Sequence, residues 1–472
     1  MAQFNLSDTV DSNKVFLVKR SEIEDRLEPK FYTIKYFNNE KKIRSSKYPI
    51  SYLFDVTSKI SDGTHFTPNY IDEGVKFISV KDVRKSAITL TNTKFISDEE
   101  ANKLDKRCKP TSGDILLTKI GATYGFAAMI ETKERFQIFV SLALLRPNDK
   151  LIPKFLEIYL NTDLAYIQYE RVIKGAGVPD LHLEDIRKIK IPLPPKEVQK
   201  QVIDLYQTAY TQKQQKEAEA AALLASIDTY LLDELGITLP EKDTSLQSRI
   251  FTAMFSEVSG GRFESQYYTQ YNKDILKSIE NSKYPIEKIK KHTQFISGYA
   301  FSSDDYIEFS DCYLITIKNI SKNTVELENV TYLPNHFFED YTKFQINRND
   351  LLIAMTGATI GKVGIYESND KALLNQRNGI IKSEKLNTFY LMNLLNTEVY
   401  QSLILKNSVG GAQPNISETD ITRIGIPLPP REKQDEIAKH IQDIRTQAKQ
   451  LQEEAKAVLE EAKRGVEKMI LG

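Results

Sequence analysis

The chain has 472 residues, 41% hydrophobic and 27% charged, which is the composition of a soluble globular protein long enough for roughly three or four domain-sized pieces. No run approaches the ~18 consecutive apolar residues of a membrane span, MAQFNLSDTV lacks the basic and apolar regions of an export signal, and Cys108 and Cys312 stand alone, which excludes disulfide scaffolds and zinc ribbons and predicts a cytoplasmic protein. Lys plus Arg and Asp plus Glu both number 64, so the formal charge is zero, and a phosphate-binding role then requires cations gathered locally rather than in excess.

In chain order, residues 1–45 form an N-terminal segment containing RLEPKFY, with Arg26. Residues 46–195 open on SKYPI and carry short β-branched and aromatic runs, FISVKDV at Phe77 to Val83 and GDILLTKIGATYG at Gly113 to Gly125, broken by Gly, Pro, Asn and Asp. Such runs predict strands and turns. Apolar spacing of three and four predicts a helix over Lys154 to Tyr169. GVPDL follows at Gly177, and IPLPP at Ile191 to Pro195 then closes the region; consecutive prolines cannot be helical, so this is predicted to be a stiff hinge. Residues 196–236 continue without Gly or Pro for about 35 residues, which predicts a helix of about 50 Å.

After a linker at 237–281 the same order begins again, about 236 residues on. RFESQYY with Arg262 precedes a second SKYPI at Ser282, then LITIKNI at Leu314 to Ile320, NDLLIAMTGATIG at Asn349 to Gly361, a predicted helix over Leu386 to Leu405, AQPNI at Ala412 and IPLPP at Ile426 to Pro430. Ordered recurrence of this kind is the signature of duplication. Residues 282–430 are therefore a second copy of 46–195, and 431–472 a second long helix. Its apolar line runs Ile437, Ile441, Ile444, Ala448, Leu451, Ala455, Val458, Ala462, Val466 and Met469 at coiled-coil spacing. The matching line in the first helix, Val202, Tyr206, Ala209, Ala220, Leu223, Ile227 and Tyr230, is interrupted by Lys213 and Lys216. An exposed seam of this length is unfavourable in water, so the two helices are expected to pair as an antiparallel coiled coil. Packing of each helix on the repeat that precedes it, 46–195 or 282–430, is the plainer alternative.

Catalytic motifs are missing where enzyme readings look for them. GATIGKV at Gly357 has three residues between its glycines and Val363 after the lysine, so it fails as a phosphate-binding P-loop, and no methyltransferase, zinc-protease or serine-hydrolase signature occurs. The expectation is a non-catalytic chain without cofactor or metal. The polar loop SDGTHFTP offers Asp62, Thr64, His65 and Thr67, short donors and acceptors suited to base edges. In the second copy ISGYAFSSDDY puts Tyr299 and Phe301 there. Gln376 and Arg377 in NQRNG are of the types that pair with adenine and guanine. The GATxG turns carry Lys119, Thr123, Thr359 and Lys362 as candidate phosphate contacts, and Lys81 and Lys318 occupy similar places in their strand blocks.

The paired IPLPP hinges, the two GATxG turns and the DGTHFTP loop together resemble the specificity subunits of type I restriction-modification systems, over essentially the whole chain. That resemblance implies an α/β fold made by internal duplication: two target-recognition domains, each reading half of a split duplex DNA site, separated by two long paired helices that fix the gap. It also implies partners: two methyltransferase subunits using S-adenosylmethionine, and translocating nuclease subunits. One departure is that Val198 and Lys433 stand where the family usually has Glu before the hinge glutamines Gln199 and Gln434. The alternative function is a coiled-coil adaptor with two protein-binding modules.

Overall fold

The computed structural model describes residues 11, 15–20, 23 and 27–472, except 176, 244, 246, 259–264 and 409–413; the predicted match of Arg26 with Arg262, and Ala412 of AQPNI, lie outside them. Two compact units emerge: Met1–Glu217 with Glu453–Gly472, and Ala218–Gln452. Each therefore takes part of both long helices, which span Lys196–Leu235 and Arg431–Leu471.

In the first unit an antiparallel sheet of four strands has the order Thr57–Asp62, Leu142–Pro147, Ile115–Thr118, Ala127–Met129, and a second sheet places Val75–Ile78 between Lys94–Ile96 and Phe136–Ile138. The run ILLT is buried at every position because both faces of this strand are covered, which is why it reads as a continuous apolar run rather than an alternating one. The second unit repeats the plan. Leu351–Ala354, equally buried, lies between Asn378–Lys382 and Val363–Ile365, and Cys312–Ile315 pairs parallel with Lys371–Leu374 in a second sheet.

The predicted helix over Lys154 to Tyr169 is two helices, Pro153–Leu160 and Asp163–Val172, and that over Leu386 to Leu405 is likewise Thr388–Asn396 and Glu398–Asn407. The break has a side-chain cause. Asn161 Oδ1 accepts from the Ala127 N–H at 3.1 Å while its Nδ2 donates to the Ala127 carbonyl at 2.8 Å, completing the edge of a strand. Asn396 does the same to Val363, at 3.1 and 2.7 Å. Spacing of apolar residues cannot reveal a polar side chain recruited to a sheet edge.

IPLPP begins as a strand. Lys190–Pro192 pairs with Ile50–Tyr52, and Gly425–Pro427 with Ile286–Lys288, with Ile191 and Ile426 fully buried. The predicted hinge is thus anchored to the start of its own reader. One residue type locks each junction. Gln199 Nε2 donates to the carbonyls of Pro194 and Lys150 and its Oε1 accepts from Ile152 N–H at 2.9 Å; Gln434 Nε2 donates to Pro429 and its Oε1 accepts from Asn387 N–H at 2.9 Å. Both glutamines are buried, so no water replaces them. Gln199→Ala and Gln434→Ala should each cost about 1–3 kcal/mol per buried group left without a partner. Urea unfolding of the variants checks this, and unchanged midpoints would remove the clasp role. At the departure from the family pattern, Lys433 pairs with Glu234 at 2.7 Å and Glu436 at 3.0 Å, and Val198 is half-buried.

The helices run 40 and 41 residues, about 60 Å at 1.5 Å per residue. Every apolar position of the predicted seam in the second helix is buried or half-buried. In the first unit Val202 and Tyr206 share a core with Val466 and Ile470, and Lys216, one of the two seam lysines, meets Glu454 at 2.6 Å. Gly465 lies within this helix; a Cβ there would be 3.0 Å from a Leu205 methyl, so the missing side chain permits close approach. In the second unit Ile227 and Leu231 share a core with Ile437, Ile441 and Ile444. Each helix end also docks at the start of a reader by the same bond: Lys47 N–H donates to Leu471, and Lys283 N–H to Leu235, both at 2.9 Å.

Candidate nucleic-acid interface

In the first reader the strand Thr57–Asp62 ends against the second sheet, and Gly63 makes that passage possible. A Cβ on Gly63 would lie 2.0 Å from the Ile138 carbonyl oxygen, and one on Gly298 2.0 Å from that of Asn375, so both copies need glycine at the crossing. The next residue makes a parallel bridge in each case, Thr64 with Phe139 and Tyr299 with Asn375. Thr64 and Tyr299 are therefore structural equivalents.

Beyond the glycines the two sites differ in chemistry. Asp62 is buried, its side chain 5% exposed, and it faces three partners: the cations Arg107, through Nη2, and Lys119, with Nζ at 3.7 Å, and the imidazole of His65, with Nε2 at 3.3 Å. Lys119, 7% exposed, also faces Asp180 at 3.6 Å, and His182 lies 3.6 Å from the other Asp180 oxygen. Arg107 and His65 stand at the outer end of this polar cluster, more than half exposed and 2.9 Å apart. Lys119, expected to reach a phosphate, instead faces two carboxylates inside the reader. Thr64 is buried too, its hydroxyl spent on the N–H and carbonyl of Phe66, while Thr67 is exposed. Arg107 was not among the expected residues. It is 45 residues from Asp62 in sequence, and only the basic run KRCK around it hinted at a surface role.

In the second reader Tyr299 is exposed, its ring 5.0 Å from Phe301, 4.9 Å from Tyr341 and 5.2 Å from Phe344. Loss of water and the neighbouring Tyr299 hydroxyl raise the Tyr341 phenol above its ordinary value. Phe301, expected at the reading surface, is core: it packs with Cys312, Leu314, Leu333 and Leu373, because the loop turns inward two residues after Tyr299, Ala300 still being exposed. The Tyr299 backbone holds the NQRNG turn, accepting from Gln376 N–H at 2.7 Å. Gln376 and Arg377 project from that turn exposed, Arg377 at φ 67°, whereas Asn378 is buried in the following strand.

The GATxG turns share the conformation of their glycines: Gly121 and Gly357, and Gly125 and Gly361, all have positive φ. Lys362 is half-buried, Thr123 and Thr359 are half-buried, and Lys81 and Lys318 are exposed. The Thr359 hydroxyl oxygen is buried without a hydrogen-bond partner. Among the described residues no group of His, Cys, Asp and Glu has the arrangement of a metal site, and no helix is long and apolar enough to cross a membrane.

The family model for the type I restriction modification DNA specificity domain matches twice, at residues 2–222 and 264–461. The chain belongs to this family. Specificity subunits of this kind are non-catalytic DNA-recognition proteins, so DNA target recognition is the function of the fold described above. Among its relatives, the type I restriction enzyme MjaVIII specificity subunit of Methanocaldococcus jannaschii is 24% identical over 392 residues, 80% of this chain and 78% of that protein. The EcoBI specificity subunit of Escherichia coli is 28% identical over 134 residues, 28% of each chain. A solved structure described as the structural basis underlying complex assembly and conformational transition of the type I R-M system aligns with a TM-score of 0.55 at 16% identity, covering 90% of this chain and 96% of that one. The mixed α/β architecture with two specificity regions and long helices is thus the family fold.

Proposed function

We propose that this specificity subunit reads a DNA site in two separated parts, residues 46–195 reading one half and 282–430 the other, and brings methyltransferase and translocating nuclease subunits to it. The observation that carries the reading is one scaffold built twice with different chemistry at the same crossing point: Asp62, His65 and Arg107 in one copy, Tyr299, Tyr341 and Phe344 in the other. Two readers of one sequence would have no reason to differ there. Donors and acceptors suit polar base edges, and an aromatic surface suits the thymine methyl. Gln376 and Arg377 extend the second surface.

The helices act as an antiparallel coiled-coil spacer. In the first unit the contacts 205 with 465 and 216 with 454 support opposite directions, and in the second Tyr230 with His440, 4.2 Å between ring centroids, and Glu234 with Lys433 do so again. Two methyltransferase subunits, one per reader, follow from the duplication. S-adenosylmethionine belongs to them, and the assembly works in the cytoplasm.

With zero net charge the chain has no excess of cations to draw phosphate from a distance, so partners supply much of the phosphate attraction. The expected result is weak binding of duplex DNA by the isolated subunit and tight binding by the methyltransferase complex. In the complex, Lys81→Ala, Lys318→Ala or Lys362→Ala should weaken all sequences alike and lower the salt slope by about one contact each. Fluorescence anisotropy across a salt series measures both; tight, sequence-specific binding by the isolated subunit would contradict the division of labour. The neutral charge is also what an adaptor with two protein-binding modules would show, and failure of the complex to bind any duplex would favour that reading.

A further inference from the structure

We infer that Arg107 reads a guanine in the half-site of the first reader, and that Asp62 and Lys119 are the positioning residues that aim it. The inference rests on the DNA-reading role proposed for residues 46–195.

Arg107 follows the helix Asp98–Asp105 on a segment anchored by the buried Cys108, and its side chain reaches back to the strand end at Asp62. Asp62 is too buried to be solvated from outside and is fixed by Lys119, which is itself fixed by Asp180. Two cations and two carboxylates thus compensate one another. A compensated set adds little to the long-range field that attracts phosphate, but it holds the guanidinium in one direction. Among the described contacts only Nη2 is engaged within the chain, with Asp62 and with His65 at 2.9 Å. Nη1 keeps both of its hydrogens on a side chain that is more than half exposed, so this one nitrogen can donate to two neighbouring acceptors. A guanidinium has donors only, and the major-groove edge that presents two acceptors, N7 and O6, is guanine's. Thymine, cytosine and adenine edges each offer a single acceptor or none beside a methyl or an amino group. A lone lysine at this position would be a mobile point charge; the anchored guanidinium is directional.

The test uses the methyltransferase complex assembled with R107K, R107A or D62N and maps adenine methylation on a plasmid library, with thermal melting of each complex to confirm assembly. With the wild-type chain, the half-site assigned to residues 46–195 should contain a required G·C pair. In R107K and R107A selectivity at that one pair should fall about tenfold or more, the second half-site staying intact, and in D62N the same position should loosen to a lesser degree. A motif that is unchanged, a loss of methylation that is equal at all sequences, or relaxation confined to an A·T pair would overturn the assignment, the second pointing to a phosphate contact. These outcomes leave the reader role standing, since it fails separately: a wild-type complex whose motif does not depend on residues 46–195 at all removes the premise.

Discussion

Exchanging residues 46–195 for the matching region of another family member is expected to replace one half of the recognised sequence completely and leave the other half and the gap as they were. The boundaries make this reasonable in physical terms. At Ser46 the chain enters the reader beside the end of the second helix, held by the Lys47 to Leu471 bond, and at IPLPP it leaves through a short strand paired with Ile50–Tyr52. Entry and exit are thus adjacent, and both are tied by backbone bonds that any side chains can make. The loops that differ between readers lie at the far ends of the strands, at Gly63 and at Gly298. Core contacts of the first reader with the helices run through Val202, Tyr206, Val466 and Ile470, so a donor reader carrying apolar residues opposite these four should assemble. Selectivity at each base pair of the exchanged half should change by about 5- to 150-fold, the effect of about 1–3 kcal/mol per good contact. Restriction mapping or methylation sequencing of the chimera reads the result; a change in both halves would contradict independent readers.

The second large effect concerns distance. Adding one turn to the first helix between Lys213 and Ala222 lengthens it by about 5.4 Å, close to the rise of between one and two base pairs at 3.4 Å each. The seam there is already its weakest, with Lys213 turned to Glu217 and Lys216 to Glu454 rather than apolar residues facing each other. A matched insertion near Glu454 keeps the apolar line of the second helix in phase. The double insertion is expected to lengthen the unspecified gap between half-sites while both halves stay the same; the single insertion should abolish methylation because the seam falls out of register. An active double variant with the original gap would show that the helices do not set the spacing.

Much of this architecture was legible in the sequence because duplication exposes it. Periodicity alone gives ILLT or a 4-3 helix, but repetition of SKYPI, GATxG and IPLPP in one order shows which pieces belong together. What the sequence concealed were side chains acting at a distance. Asn161 and Asn396 break predicted helices by serving strand edges, and Gln199 and Gln434 clasp the junctions; a lone polar residue has no periodic signal. In the site, Asp62 was read as a surface acceptor and Lys119 as a phosphate contact. Each is the natural reading of one residue in a polar loop, yet together they form a buried ion pair that supports Arg107. Phe301 misled for the converse reason. Composition shows an aromatic loop but not that Tyr299 stays out while its neighbour but one turns into the core.

The central claim is that this chain alone decides where the complex acts, through two separate readings. The most direct measurement expresses the methyltransferase partner with and without this chain in a host lacking other adenine methylation, and maps methylated adenines across the genome. The expected result is methylation only when the chain is present, at one asymmetric motif of two defined blocks separated by a fixed number of unspecified base pairs. Methylation at the same motif without the chain, or a single uninterrupted motif with it, would contradict the account.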